Sequence, residues 1–167
     1  MRNMAMRNHY LLRGLLVAGL VALLDQLSKK VILMLVAQQA IPQSVTSFFN
    51  LVLVWNRGVS FGLLQGSDAR HALIAFTFIM LVILLVWLSR VSQQSMSLAL
   101  GLIAGGAFGN VLDRLIYGAV VDFLDVHVMG YHWPSFNVAD ACISSGVALL
   151  LWNSWCEGRA TSLSASD

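Results

Sequence analysis

Two aspartates, Asp122 and Asp140, have the surroundings that carboxylate chemistry needs. Asp122 follows Val120-Val121 and precedes Phe123, a lone acid in a strand-like apolar run. Asp140 ends the run Phe136-Asn137-Val138-Ala139-Asp140. There Asn137 reads as a helix N-cap and Asp140 as the third helical residue, a variant of the capping box. Alone, Asp140 reads as a capping acid stabilised by the helix dipole. Together the two carry more, because carboxylates brought close in apolar surroundings resist joint ionisation, so that one keeps a proton while the other activates water. That is the chemistry of acid–base peptide hydrolysis.

The remaining polar residues in apolar stretches invite other readings. Asp25 and Lys29 stand four apart with the acid first, the favourable pairing on a helix surface, and read as an ion pair pinning the outer end of the first helix. Asn110, Asp113 and Arg114 share one helical face, where Arg114 can reach back to Asn110 or to a carboxylate of a neighbouring segment. Asp122, Asp125, His127 and His132 are oxygen and nitrogen ligands. Their spacing matches no strong zinc motif, so no metal is expected. A Gly-x-Ser-x-Gly elbow is absent from the sequence, and Cys142 has no histidine near it in sequence. Cys142 and Cys156, on one helix, would stand about 21 Å apart, too far for a disulfide.

The elements that must position these groups follow from composition. Of 167 residues, 58% are apolar and 11% charged, with a net charge of +2. A soluble domain carries roughly 25% charged residues, disordered chains lack the Leu, Val, Ile and Phe that dominate here, and no basic block suits nucleic acid. Four apolar stretches give membrane spans at about 11–28, 72–88, 98–115 and 138–155, each near the ~20 residues needed to cross a bilayer. The third reaches that length only by continuing through Asn110, Asp113 and Arg114. The expected fold is therefore an all-α membrane protein of four transmembrane helices in one domain over residues 1–157, with a disordered cytoplasmic tail over 158–167. Gly14, Ala18 and Ala22, and Gly101, Gly105 and Gly109 with Gly106 beside them, have the small-residue spacing of close helix contacts.

Arg2, Arg7 and Arg13 precede the first span and place the N-terminus in the cytoplasm. No small-x-small cleavage site precedes Asp25, so this span is read as retained. An even number of spans returns the C-terminus to the same side. Six of the eight acidic residues, Asp25, Asp68, Asp113, Asp122, Asp125 and Asp140, then fall in the outer half. On that side residues 51–55 are strand-forming and Asn56-Arg57-Gly58 is a turn, giving a small extracytoplasmic β element. Phe61, Leu63 and Leu64, bracketed by Gly58, Gly62 and Gly66, form either a short interfacial helix or lid or a loop packed on the helices. A small proton-coupled transporter using Asp25 and Asp113, or a membrane assembly subunit, is the competing class. A transporter would place its carboxylates near the midplane, whereas these crowd one end.

Five motifs occur in order along the chain: Asp25-Gln26-Leu27-Ser28-Lys29, Asn56-Arg57-Gly58-Val59-Ser60-Phe61-Gly62, Gly105-Gly106-Ala107-Phe108-Gly109-Asn110-Val111-Leu112-Asp113-Arg114, Val120-Val121-Asp122-Phe123 and Phe136-Asn137-Val138-Ala139-Asp140. In order and approximate spacing the chain resembles the bacterial lipoprotein signal peptidases, signal peptidase II, from the first span through the fourth. The resemblance implies a four-helix inner-membrane aspartic endopeptidase that cleaves the signal peptide of prolipoproteins just before a cysteine already carrying diacylglycerol. It puts the catalytic dyad on Asp122 and Asp140. Asp25, Lys29, Asn56, Gly58, Asn110, Arg114, Asn137 and Ala139 surround the site as structural or substrate-contacting positions. The implied partners are diacylglyceryl prolipoproteins and membrane lipids, with no cofactor and no nucleic acid. Both termini are expected in the cytoplasm and the site near the periplasmic face. All the implied groups lie on one chain, so a monomer is expected to act. Many family members carry Gly-Ala-Ala-Phe where this chain has Gly58-Val59-Ser60-Phe61, a departure that touches the packing of the first outer loop and not the dyad.

Overall fold

A computed structural model describes residues 2–58 and 67–164. Among these the chain forms α1 (Arg2–Ala37), β1 (Gln43–Thr46), β2 (Phe49–Asn56), α2 (Ser67–Leu88), α3 (Gln94–Ile116), β3 (Val120–Val128), β4 (Tyr131–His132) and α4 (Val138–Ser164). Four long helices thus carry an antiparallel sheet of order β1-β2-β3-β4. The residues 61–64 singled out as a lid lie outside the described residues.

α3 packs against all three other helices, and small residues let it do so. A Cβ on Gly101 would stand 2.6 Å from the carbonyl oxygen of Gly14, and one on Gly105 2.5 Å from that of Ala18, so both glycines are needed for α1 to approach. Gly106 meets α4 in the same way, at the carbonyl of Ala139. On α1 the buried stripe is Gly14, Val21, Asp25, Lys29 and Ile32, so two ionisable residues occupy the seam against α3.

The outward faces are apolar. Leu12, Leu16, Leu20, Leu23 and Leu27 on α1, Phe76, Phe78 and Ile79 on α2, and Leu151, Trp152 and Trp155 on α4 are all exposed. Apolar surface on this scale has to be covered by something other than water. By length and composition, the segments Arg70–Leu88 and Gln94–Ile116 are each able to cross a membrane.

Three boundaries differ from expectation. The first apolar stretch and the one after Lys30 form one helix of 36 residues, because Asp25 and Lys29 are buried by partners on α3 and do not mark a helix end. The strand expected at 51–55 is longer, Phe49–Asn56, and pairs with β3 through a register shift between Leu51 and Val54. The fourth helix, placed at about 138–155 from the sequence, runs on to Ser164. One interior glycine costs a helix only about 1 kcal/mol, and the Arg159 guanidinium lies 5.0 Å from the Trp155 ring one turn back.

Candidate active site

β3 delivers Asp122 to the helices, and β2 delivers its first partner. Asn56 pairs with Val120 across the sheet, which sets its side chain diagonal to Asp122. Its Nδ2 donates to Asp122 Oδ2 at 2.9 Å, while its Oδ1 accepts the Gly58 N–H at 2.8 Å. Gly58 can make that turn because its φ is +96°, where a side chain is strained; an added Cβ would also collide with Leu73.

The start of α4 supplies the second carboxylate and a connector. The Asn137 side chain accepts the Asp140 N–H at 2.9 Å, and the Asn137 N–H donates to Asp140 Oδ2 at 3.3 Å. This is the reciprocal cap that the sequence implied. The Asn137 Nδ2 donates to Asp122 Oδ1 at 2.7 Å, so one buried residue bonds both carboxylates, Asp122 through its side chain and Asp140 through its backbone N–H. Asn110 completes the set: its Nδ2 donates to Asp140 Oδ1 at 2.8 Å, and its Oδ1 receives Lys29 Nζ and Asn137 Nδ2, each at 3.2 Å. Every oxygen of the two carboxylates therefore accepts a bond from a neutral amide. Such donors orient a carboxylate without the full charge of a salt bridge.

Burial pushes the Asp122 carboxyl up to about 6, helped by the charge of Asp140 and opposed by the Asn56 and Asn137 bonds and by Lys29. Asp140 is half-buried and lines a cleft of about 350 Å³ with Trp133, Pro134, Ser135, Phe136, Ala141 and Ser144. Arg114 lies within electrostatic range of both acids, and its Nη1 donates back to the Asn110 carbonyl at 3.4 Å.

Behind the two acids lies a buried charge cluster. Lys29 Nζ stands 2.7 Å from Asp25 Oδ2 and 2.7 Å from Asp113 Oδ2, and all three side chains are shielded from solvent. Asp25 Oδ1 accepts the Ala139 N–H at 3.0 Å, and Asp113 Oδ2 accepts the Val121 N–H at 3.1 Å. Ala139 and Val121 are the residues immediately before Asp140 and Asp122. One lysine thus joins two carboxylates that each hold the backbone next to a site aspartate. Gln26 adds a bond to Asp113 Oδ1 at 2.8 Å.

The structure brings together all ten site residues named from the sequence. Asp25 and Lys29 do pair, but about two turns before the end of α1 and in company with Asp113, so neither Asp25 nor Asp113 stands free as a transporter carboxylate would. Sequence reasoning missed the Lys29–Asp113 pair and Gln26; the available sign was that Asp25 and Asp113 both stand in apolar helices, where each calls for a compensating partner. The potential metal ligands are divided, since residues three apart on a strand point to opposite faces. Asp125 pairs with His132 and Asn50, away from Asp122, and among the described residues no three His, Cys, Asp or Glu side chains are grouped to hold a metal.

The family model for signal peptidase (SPase) II matches residues 17–156. A lipoprotein signal peptidase of Polynucleobacter necessarius is 45% identical over 150 residues, 88% of this chain and 91% of that one. Another, from Burkholderia ambifaria, is 48% identical over 137 residues, 80% and 82% of the two chains. A solved bacterial membrane enzyme superposes with a TM-score of 0.73 at 29% identity, over 87% of this chain and 88% of its own. Matches that run from α1 into α4 and take in both aspartates establish that this bacterial membrane protein belongs to the signal peptidase II family.

Proposed function

We propose that the protein removes signal peptides from diacylglyceryl-modified prolipoproteins, cleaving before the lipid-bearing cysteine, with Asp122 and Asp140 as its catalytic dyad. The observation that carries this reading is the pair of carboxylates joined through Asn137, beside a cleft that Asp140 lines. Asp122, the more buried of the two and the one whose carboxyl burial pushes upward, is the proposed general acid. Asp140 is the general base, accepting a proton from water, whose oxygen attacks the scissile carbonyl carbon while Asp122 donates to the carbonyl oxygen. Collapse of the tetrahedral intermediate returns a proton to the leaving nitrogen. Asn56, Asn110 and Asn137 keep the carboxylates oriented, Gly58 forms the turn that fixes Asn56, and Arg114 offsets negative charge as it develops. Asp25, Lys29 and the Ala139 N–H hold the frame behind.

Four membrane crossings, in the bacterial inner membrane, with both termini cytoplasmic and the dyad near the periplasmic face, suit this substrate. The exposed apolar residues on α1 and α4 and the arginines before the first span support that arrangement. The substrate is itself a membrane helix ending at the outer interface, so its lipid can stay in the bilayer while water reaches the peptide bond. A single chain holds every proposed group, which supports a monomeric enzyme.

The test is cleavage of a diacylglyceryl prolipoprotein by the purified protein, followed on a gel. Asp122→Asn and Asp140→Asn should each lower kcat by about 10²–10⁴-fold, the range for loss of a positioned acid or base. Full cleavage by both variants would sink the dyad.

A further inference from the structure

β4 is two residues long and holds β3 by the pairs His127 with His132 and Val128 with Tyr131. Two further contacts brace it. The Trp133 N–H donates to the Val126 carbonyl at 2.8 Å, and His132 Nδ1 lies 2.8 and 2.9 Å from the two oxygens of Asp125. Asp125 is 6% exposed, and Asn50 Nδ2 donates to its Oδ2 at 2.8 Å. The Asn50 bond, and then the His132 bond, hold the Asp125 carboxyl below its ordinary range, so it is an ionised anchor. The His127 ring stacks on the His132 ring at 4.8 Å and 25°, which restrains the plane of the imidazole.

The chain is fastened again at Phe136, whose N–H donates to the Leu124 carbonyl at 3.1 Å and whose carbonyl accepts the N–H groups of Phe123 and Leu124 at 3.0 and 2.9 Å. Between the two fastenings runs a short arch. Trp133, Pro134, Ser135 and Phe136 line the cleft together with Asp140, Ala141 and Ser144 of α4. A peptide entering the cleft beside Asp140 therefore meets the arch on its way.

We propose that His132 is a positioning residue, whose bond to Asp125 fixes the near end of the 133–136 arch and so sets how tightly the cleft grips the peptide flanking the scissile bond. This role rests on reading Asp140 as half of the dyad. The arch touches bound peptide in the ground state and the transition state alike, so loosening it weakens binding and spares the chemical step. In steady-state cleavage of a diacylglyceryl prolipoprotein, His132→Ala should raise KM about tenfold with kcat within about twofold, the signature of lost uniform binding. Asp125→Ala, which also loses the Asn50 bond, should raise KM at least as much, and the double variant should be no worse than Asp125→Ala alone, because the contact between the two is already gone. His132→Asn, whose amide N–H can take the place of Nδ1–H, should return KM to within about threefold of wild type, a rescue that general destabilisation would not give.

An unchanged KM in His132→Ala, a loss confined to kcat, additive losses in the double variant, or His132→Asn no better than His132→Ala would each overturn the role. Should His132→Ala fail to fold, Asp125→Asn keeps the size of the anchor without its charge and is read by the same KM shift. Asp140→Asn, assayed beside them, separates the two ideas: its full activity would remove the dyad, whereas its inactivity with unmoved KM in the His132 variants would remove only the clamp.

Discussion

Asp122 is an acid that the fold makes reluctant to ionise, and this has a consequence for stability as well as chemistry. Its carboxyl titrates near 6 in the folded chain against 3.8 for an ordinary aspartate, chiefly because it is buried. Between those values the folded state binds more proton than the unfolded one, so stability falls as pH rises through the window and the penalty is complete above it. After allowance for solvent screening the penalty is about 1–2 kcal/mol. Asp122→Asn removes it, since the amide can occupy the same place without a charge. The variant should therefore melt above wild type at pH 8, and the gap should close as pH approaches 4. A variant less stable than wild type at pH 8 would show that the Asn56 and Asn137 bonds to the carboxylate outweigh its desolvation. A gain in stability on losing Asp122, the proposed general acid, would fit the general trade between a strained site and a stable fold.

At the scale of elements, α3 is the part on which the others are placed, and its glycines set the distances. A Cβ on Gly105 would stand 2.5 Å from the Ala18 carbonyl oxygen and 2.8 Å from the Ala18 Cα, contacts that only backbone movement can relieve. Separation of α1 from α3 would pull Lys29 away from Asp113 and release the Val121 backbone beside Asp122. Gly105→Ala should thus cost about 1–3 kcal/mol, the range for overpacking, and lower cleavage activity, read by thermal melting in detergent and by the gel assay. Gly19→Ala is its control: nothing stands within 4 Å of the added Cβ, so stability should hold or rise by up to about 1 kcal/mol. Equal stability of the two variants would remove the seam argument. The four-residue rhythm of these glycines was legible in the sequence, as were the capping role of Asn137 and the strand before Asn56. The partner of Asp113 was not. Spacing along a helix says which residues share a face but not what stands opposite, and Asp113 and Arg114, adjacent in sequence, turn to different neighbours. Likewise the charges at Asp25 and Lys29 looked like the end of a span because the α3 partners that bury them are 81 to 84 residues further on in the chain.

For the whole molecule, the arginines before the first span, with most of the acids gathered at the opposite end, give a prediction about which end faces which side. The C-terminus of α3, the sheet and the N-terminus of α4 meet at the two aspartates, so the turn between α2 and α3 lies at the far end of a 23-residue helix. At ~1.5 Å per residue that helix is about 35 Å long, enough to cross a hydrocarbon core of ~30 Å. The exposed turn residue Ser92 and the exposed hairpin residue Met129 should therefore lie on opposite sides of the membrane. With Cys142 and Cys156 replaced by alanine, Met129→Cys should react with a membrane-impermeant maleimide in intact spheroplasts, whereas Ser92→Cys should react only after lysis. Labelling of both residues in intact spheroplasts would rule out α3 as a crossing helix. The reverse pattern would keep the crossing but put the aspartates in the cytoplasm, where an exported substrate no longer presents its cleavage site. The expected pattern requires the peptide bond to be met at the outer interface, where the amide-held carboxylates, the cleft beside Asp140 and the lipid-facing helices converge.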